Sequence, residues 1–209
     1  MSNSTKLINI ETDFESAVNE AVKLYENGNV FIYPTDTIYG FGCNPFIREA
    51  VDKITGLKAR ETKKRYILLA DSIETVLKYV HLQNEKQPGF LKRIWPNPVS
   101  IVLRLNDKYR NVFNHSTAAF RIPDDKFCLS VLSKIKLPMV STSVNKKDRL
   151  PLNNIDKIKN EFDKLVDVIF YTEKQALNYA STLIDLTRDK PVLLREGKIK
   201  FVDLIKKFG

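Results

Sequence analysis

Polar residues gather at the ends of short apolar runs along this chain, and their types are those that handle anions. "PTDTIYG" (34–40) follows "VFIY", "RIPDD" (121–125) ends "TAAF", and "STSVN" (141–145) ends "PMV". "STLID" (181–185) follows Tyr179 and Ala180, and "LREG" (194–197) closes "PVL". In open α/β sheets the ligand crevice lies at strand ends, so tips of this kind can converge on one site. Taken singly, each also reads as a turn or cap, because Ser and Thr beside strands commonly bond to nearby backbone. A sixth cluster, "KARETKKR" (58–65), precedes "YILLA" and sets Lys58, Arg60, Lys63, Lys64 and Arg65 against the single acid Glu61. Such a run is either a solvated face or a clamp on a polyphosphate, with arginine offering a planar fork and lysine a mobile point charge.

Several chemistries are excluded by what the chain lacks. It has no G-x-x-x-x-G-K-[ST] phosphate loop, no G-x-G-x-x-G dinucleotide turn and no G-x-S-x-G nucleophile elbow. Its two histidines, His81 and His115, stand beside no carboxylate or cysteine at ligand spacing, so no metal held by protein side chains is expected. Cys43 and Cys128 lie far apart, which fits a reducing compartment, and cytoplasm is the expectation. The start "MSNSTKLINIETDFES" is no signal peptide, and no apolar run approaches the ~20 residues of a membrane span, so no membrane partner is expected. A formal charge of +9 over 209 residues points either toward polyanionic partners such as nucleotides or RNA, or to a merely basic surface.

These tips must be positioned by alternating elements. Phe14, Ala17, Val18, Ala21 and Tyr25 recur at helical spacing between Asp13, a capping residue, and Gly28, a stop. "NVFIY" follows as a strand, then a helix over 47–57, then the strand "YILLA". Asp71 with Glu74 reads as a capping box for a further helix. Strands are expected at "VSIVLRL", "TAAFRI", "PMVSTS", "DVIFY", "STLIDL" and "PVLLR", and helices near 126–135, 154–163 and 200–208. The expected fold class is α/β: a single domain over 8–209, with a large mixed open sheet flanked by helices, behind an N-terminal extension of residues 1–7. "KKDRLPLNN" (146–154) reads as a long polar loop broken by Pro151.

The ordered set "PTDTIYGFGC", "KAR", "WPNPVSIVL", "AAFRIP", "STSVN", "STLIDLT" and "VLLREG" resembles the YrdC-like family of L-threonylcarbamoyladenylate synthases, in its short, single-domain form. Retention of Ser143 and Asn145 in "SVN" separates the chain from a related branch that lacks this element. The resemblance implies a reaction in which L-threonine takes up bicarbonate or CO2, and the carbamate oxygen attacks the α-phosphorus of ATP. The products would be threonylcarbamoyl-AMP and pyrophosphate, with Mg2+ accompanying ATP, for threonylcarbamoyladenosine modification of tRNA. Weak tRNA or RNA binding and downstream threonylcarbamoyl-transfer proteins are the further partners it implies.

By the same resemblance, Lys58, Arg60, Ser143 and Asn145 form the catalytic tetrad around ATP and the carbamate. Lys64, Thr117 and Arg195 match further ATP contacts, while Thr37, Arg121, Ser141 and Ser181 match positions that hold L-threonine, Arg121 facing its carboxylate. Pro34, Tyr39 and Gly40 would shape the turn that presents Thr37. The chain departs from the family pattern at Glu61, at Arg65-Tyr66-Ile67, at Leu69 where many members carry histidine, and at "KKDR" after Asn145. The fold that the resemblance implies is a twisted mixed sheet with a concave basic face, and the alternative is a non-catalytic RNA-binding or assembly module on that face. It needs only cations, and gives no reason for Ser143, Asn145, Thr37 and Arg121 at their strand ends.

Overall fold

Capping chemistry decides where the first helix begins. In the computed structural model, which describes residues 4–59, 65–173 and 179–208, the Asp13 carboxylate accepts from the Ser16 N–H at 3.0 Å and α1 runs Phe14–Glu26. Gly28 at φ +72° turns the chain out of the helix, a conformation that glycine adopts without cost. The strands are β1 (Lys6–Asn9), β2 (Phe31–Tyr33), β3 (Gly40–Cys43), β4 (Ile67–Leu69), β5 (Val99–Arg104), β6 (Thr117–Arg121), β7 (Met139–Ser143), β8 (Val168–Tyr171), β9 (Thr182–Asp185) and β10 (Val192–Arg195). The other helices are α2 (Arg48–Leu57), α3 (Ile73–Leu77), α4 (Lys86–Ile94), α5 (Asp107–Phe113), α6 (Lys126–Ile135), α7 (Ile155–Phe162) and α8 (Phe201–Ile205).

All ten strands join one mixed sheet in the order β1-β8-β2-β3-β7-β4-β6-β5-β9-β10. β1 and β2 flank β8 in parallel, β4 runs parallel to β6 and β5 to β9, and the remaining neighbours are antiparallel. Period-two alternation then sorts side chains between two faces. One face buries Ile32, Phe41, Leu68, Ile101, Phe120 and Val140 beneath helices on that side, with Phe162 of α7 edge-on to Phe41 at 5.0 Å and Phe208 beyond α8 edge-on to Phe90 of α4 at 5.1 Å. The other face buries Phe31, Tyr33, Leu69, Met139 and Phe170 under α1 and α6. Each such large side chain removed from water contributes roughly 1.5–3 kcal/mol, so the helices are held by their apolar stripes. Beyond α6 the second face gives way to a cavity at the ends of β7, β4 and β6.

Three expectations are corrected. Lys6 and Leu7, assigned to an N-terminal extension, pair with Val168 and Ile169, and Thr5 donates to the Val166 carbonyl at 2.9 Å, so the fold reaches back to residue 5. The cap of α3 is Ser72, which accepts from the Thr75 N–H at 3.2 Å, while the Asp71 carboxylate turns to the Lys136 ammonium at 3.0 Å. The other Asp71 oxygen accepts from the Ser72 hydroxyl at 3.3 Å. Finally, α4 and α5 lie where neither was expected. Pro88 and Gly89 obscure the pattern of α4, although Phe90, Leu91 and Ile94 bury one stripe of it.

β3 reads as a turn by composition, yet its glycines are what the sheet requires. A Cβ on Gly42 would sit 2.7 Å from the Phe31 ring and 2.8 Å from the Tyr33 ring. Gly42→Ala should therefore lower stability by about 1–3 kcal/mol, the usual range for overpacking a filled core. Urea denaturation checks this, and an unchanged midpoint would show that the rings have room to yield.

Candidate active site

The second face of the sheet assembles the site through register. Ser141 and Ser143 are two residues apart on β7 and share a face; Ser141 lies opposite Ile67 of β4 on one side and Gly42 of β3 on the other. Arg121 ends β6 opposite Leu69 of β4. Gly40 faces Ser143, and a Cβ there would approach the Ser141 hydroxyl to 3.2 Å, so glycine keeps the serine side clear. The result is a cavity of about 250 Å³ whose lining includes Thr37, Arg121, Ser141, Ser143, Ser181 and Arg195, six of the expected site residues.

Thr37 is only 2% exposed and is fixed by a proton chain. The Thr35 hydroxyl donates to the Ile38 carbonyl at 2.8 Å, which leaves it to accept from the Thr37 hydroxyl at 2.9 Å. Thr37 Oγ1 in turn accepts from Arg121 Nη1 at 3.1 Å. Arg121 is 4% exposed, and its Nη2 forms an ion pair with Asp36 Oδ1. Its Nε and the Tyr33 hydroxyl are buried without a hydrogen-bond partner among the described residues. Burial also pushes the Tyr33 phenol well above its ordinary pKa, so it remains a neutral hydroxyl.

On the opposite wall, Arg195 Nη2 donates to the Ser181 carbonyl at 2.8 Å and to its hydroxyl at 3.2 Å, and Ser100 meets the same hydroxyl at 2.9 Å. Gly197 permits this docking, since a Cβ there would fall 2.2 Å from the Ala180 carbonyl oxygen. Partial desolvation at the cavity wall, and then the neighbouring Arg121 charge, lower the Arg195 pKa from its ordinary value. Two guanidiniums facing one another across a small cavity make a site for an anion.

Lys58 stands behind this wall. Only 3% exposed, it directs its ammonium to the Ser143 carbonyl, the Asn145 carbonyl at 2.9 Å and Asn145 Oδ1 at 2.9 Å. The Ser143 hydroxyl donates to the same Oδ1 at 2.6 Å, and Asn145 Nδ2 donates to the Lys146 and Arg149 carbonyls, which ties the following loop to the strand end. Three of the tetrad residues are thus one hydrogen-bonded unit, with the ammonium turned into the protein. Arg60 and Lys64 lie outside the described residues, as does Lys63. Thr117 does not line the cavity; it neighbours it through Arg65, whose Nη1 donates to the Thr117 carbonyl at 3.2 Å and to its hydroxyl.

Asp36, Ser100 and Pro151 were assigned no place in the site by sequence; Pro151 lines the cavity together with Arg65 of the basic cluster. The only signal for Asp36 was an acid inside a strand tip, and its partner lies 85 positions away. Leu69, where histidine was the family expectation, is packed into the core under α6. Burial raises the pKa of both Cys43 and Cys128, so neither thiol is an ionised nucleophile.

Comparison with known proteins places this cavity in context. The Sua5/YciO/YrdC family model, described as "Telomere recombination", matches residues 23–197. The chain belongs to this family. It is 28% identical over 162 residues to the threonylcarbamoyl-AMP synthase of Cellvibrio japonicus, covering 77% of this chain and 86% of that protein. The corresponding synthase of Marinobacter nauticus is 33% identical over 145 residues, covering 68% of this chain and 76% of its own length. Among solved structures, Pyrococcus abyssi Sua5 complexed with L-threonine superposes with a TM-score of 0.89 at 26% identity, over 98% of this chain and 61% of that one.

Lys58→Met, which keeps the stem but removes the ammonium, takes the lysine donor from the part-buried Ser143 and Asn145 carbonyls, while Asn145 Oδ1 keeps the Ser143 hydroxyl. Each unsatisfied group costs about 1–3 kcal/mol, so the variant should unfold at distinctly lower urea than wild type. Equal midpoints would contradict the geometry described for Lys58.

Proposed function

We propose that this chain is an L-threonylcarbamoyladenylate synthase, condensing L-threonine, bicarbonate or CO2, and ATP to threonylcarbamoyl-AMP and pyrophosphate. The observation that carries this reading is the convergence of the buried Arg121 guanidinium and the more exposed Arg195 guanidinium with the hydroxyls of Thr37, Ser141 and Ser181 on one small cavity. At about 250 Å³ the cavity is smaller than the roughly 300–1,000 Å³ typical of drug-sized ligands. It suits an amino acid, with the nucleotide outside it toward Ser143, Asn145 and Arg65. The naming of the relatives as threonylcarbamoyl-AMP synthases, and the L-threonine complex of the P. abyssi protein, support the same assignment.

The residues account for the chemistry without a histidine or a nucleophilic thiol. Threonine's amine adds to CO2 to give a carbamate, which is already an anion. One carbamate oxygen forms the bond to the α-phosphorus as the bond from that phosphorus to the pyrophosphate oxygen breaks. Such transfer requires an in-line nucleophile and positive charge around the phosphate oxygens, and little covalent help from the protein. Arg121 neutralises the threonine carboxylate, Thr37 and Ser181 fix its orientation, and Arg195 with Ser143 and Asn145 faces the nucleotide. Lys58 holds Ser143 and Asn145 in place. The donor set of the cavity is guanidinium and hydroxyl, with Asp36 already paired to Arg121, so Mg2+ enters as the ATP complex, held by phosphate oxygens. The product serves threonylcarbamoyladenosine formation in tRNA, received by downstream transfer proteins, in the cytoplasm; among the described residues no helix is long and apolar enough to cross a membrane. A basic surface that binds RNA loosely has no use for a cavity of this kind, so the non-catalytic reading has nothing here in its favour.

Pyrophosphate release should require ATP, L-threonine and bicarbonate together, and should fall sharply in Arg60→Ala. L-Serine, lacking one methyl, should be used about 10- to 200-fold less efficiently by kcat/KM. Release that persists without threonine would overturn the assignment.

A further inference from the structure

We infer that Asp36 is a positioning residue for substrate recognition, setting the Arg121 guanidinium so that one edge of it is reserved for the carboxylate of the amino acid. The inference rests on the threonine reading of the cavity and goes beyond it by giving a role to a residue outside the substrate contacts. Four observations carry it. Asp36 and Arg121 form an ion pair with side chains 9% and 5% exposed, so neither has water as an alternative partner. The second Asp36 oxygen, Oδ2, accepts the backbone N–H of Asp124 at 3.2 Å, three residues past Arg121, which pins the carboxylate to the segment that carries the arginine. Arg121 Nη1 is held separately by Thr37 Oγ1 at 3.1 Å. With both terminal nitrogens anchored, Nε is left buried with no partner among the described residues.

A buried N–H left unsatisfied is unfavourable, and it persists only if something else fills the role. The guanidinium is planar, so anchoring Nη1 and Nη2 from the Thr35–Thr37 tip fixes the plane and, with it, the direction of every remaining N–H. A carboxylate entering the cavity meets a donor array already oriented. Asp36 also screens Arg121 in the empty site, which makes it tolerable to bury, while Arg195 keeps the wall net cationic. Without the Asp36 charge, the fork is free to swing toward other acceptors.

The test uses the full chain and compares wild type, the near-isosteric Asp36→Asn, and Asp36→Glu, which keeps the charge. Pyrophosphate release is measured against L-threonine, ATP, and L-threoninol, whose carboxylate is replaced by a hydroxymethyl group. Asp36→Asn is expected to raise KM for L-threonine by about tenfold or more, the effect of misplacing one charge-assisted hydrogen bond. KM for ATP should stay unchanged, and the preference for threonine over threoninol should shrink. Asp36→Glu should recover part of the threonine affinity, and adding Asp36→Asn to Arg121→Ala should cost nothing further. A purely structural role would lower the melting temperature and the active fraction without moving the threonine KM alone. Threonine KM and threoninol discrimination equal to wild type in Asp36→Asn would overturn the inference. If Asp36→Asn fails to fold, the same two quantities in Asp36→Ser decide it, wild-type values again overturning it. Wild type that releases no pyrophosphate in response to threonine would instead overturn the functional reading, and so the two failures are distinguishable.

Discussion

An arginine buried at a strand end is the constraint around which this molecule is organised. Taking a guanidinium out of water carries a penalty of several kcal/mol unless acceptors surround it. At Arg121 those acceptors come from a single loop: Asp36 pairs with one terminal nitrogen and Thr37 with the other. The loop itself is braced by Thr35, and it leads into β3, whose glycines leave room for Tyr33 beneath and Ser141 beside. Removing any of these supports leaves a charge stranded in the sheet, so the loop, the strand and the arginine form one cooperative unit.

A second unit closes the other side. Lys58, at the end of α2, binds the tip of β7 through Ser143 and Asn145, and Asn145 fastens the loop beyond. The Lys147 N–H also donates to the Lys58 carbonyl at 2.8 Å, so the two segments are tied in both directions. Residues distant in sequence thus share one rigid frame, a property that suits a reaction depending on placement more than on proton transfer. The site's precision comes from backbone carbonyls and side chains on strand ends instead of from a flexible phosphate loop.

Much of the architecture was legible from the chain. α1 was readable because a capping aspartate precedes its apolar stripe, and the mixed α/β class followed from alternating periods. Less was legible where composition misleads. "GFGC" resembles a turn, but burial against Phe31 and Tyr33 makes it a strand, and Pro88-Gly89 hides α4. At the site, the hydroxyl and cation tips marked Thr37, Arg121, Ser141, Ser181 and Arg195, yet the direction in which Lys58 points could not be seen. Its charge suggested a phosphate, while its burial gives it three acceptors within the protein. Asp36 went unassigned because a long-range ion pair leaves no periodic trace.

The central claim is that dispersed strand tips create one amino-acid cavity read by Arg121. Its most direct test is a crystal structure with L-threonine and a non-hydrolysable ATP analogue. The account predicts the threonine carboxylate within hydrogen-bonding distance of Arg121, between Thr37 and Ser141, with the α-phosphate toward Ser143 and Asn145. Threonine bound elsewhere, with the Arg121 cavity empty, would contradict it.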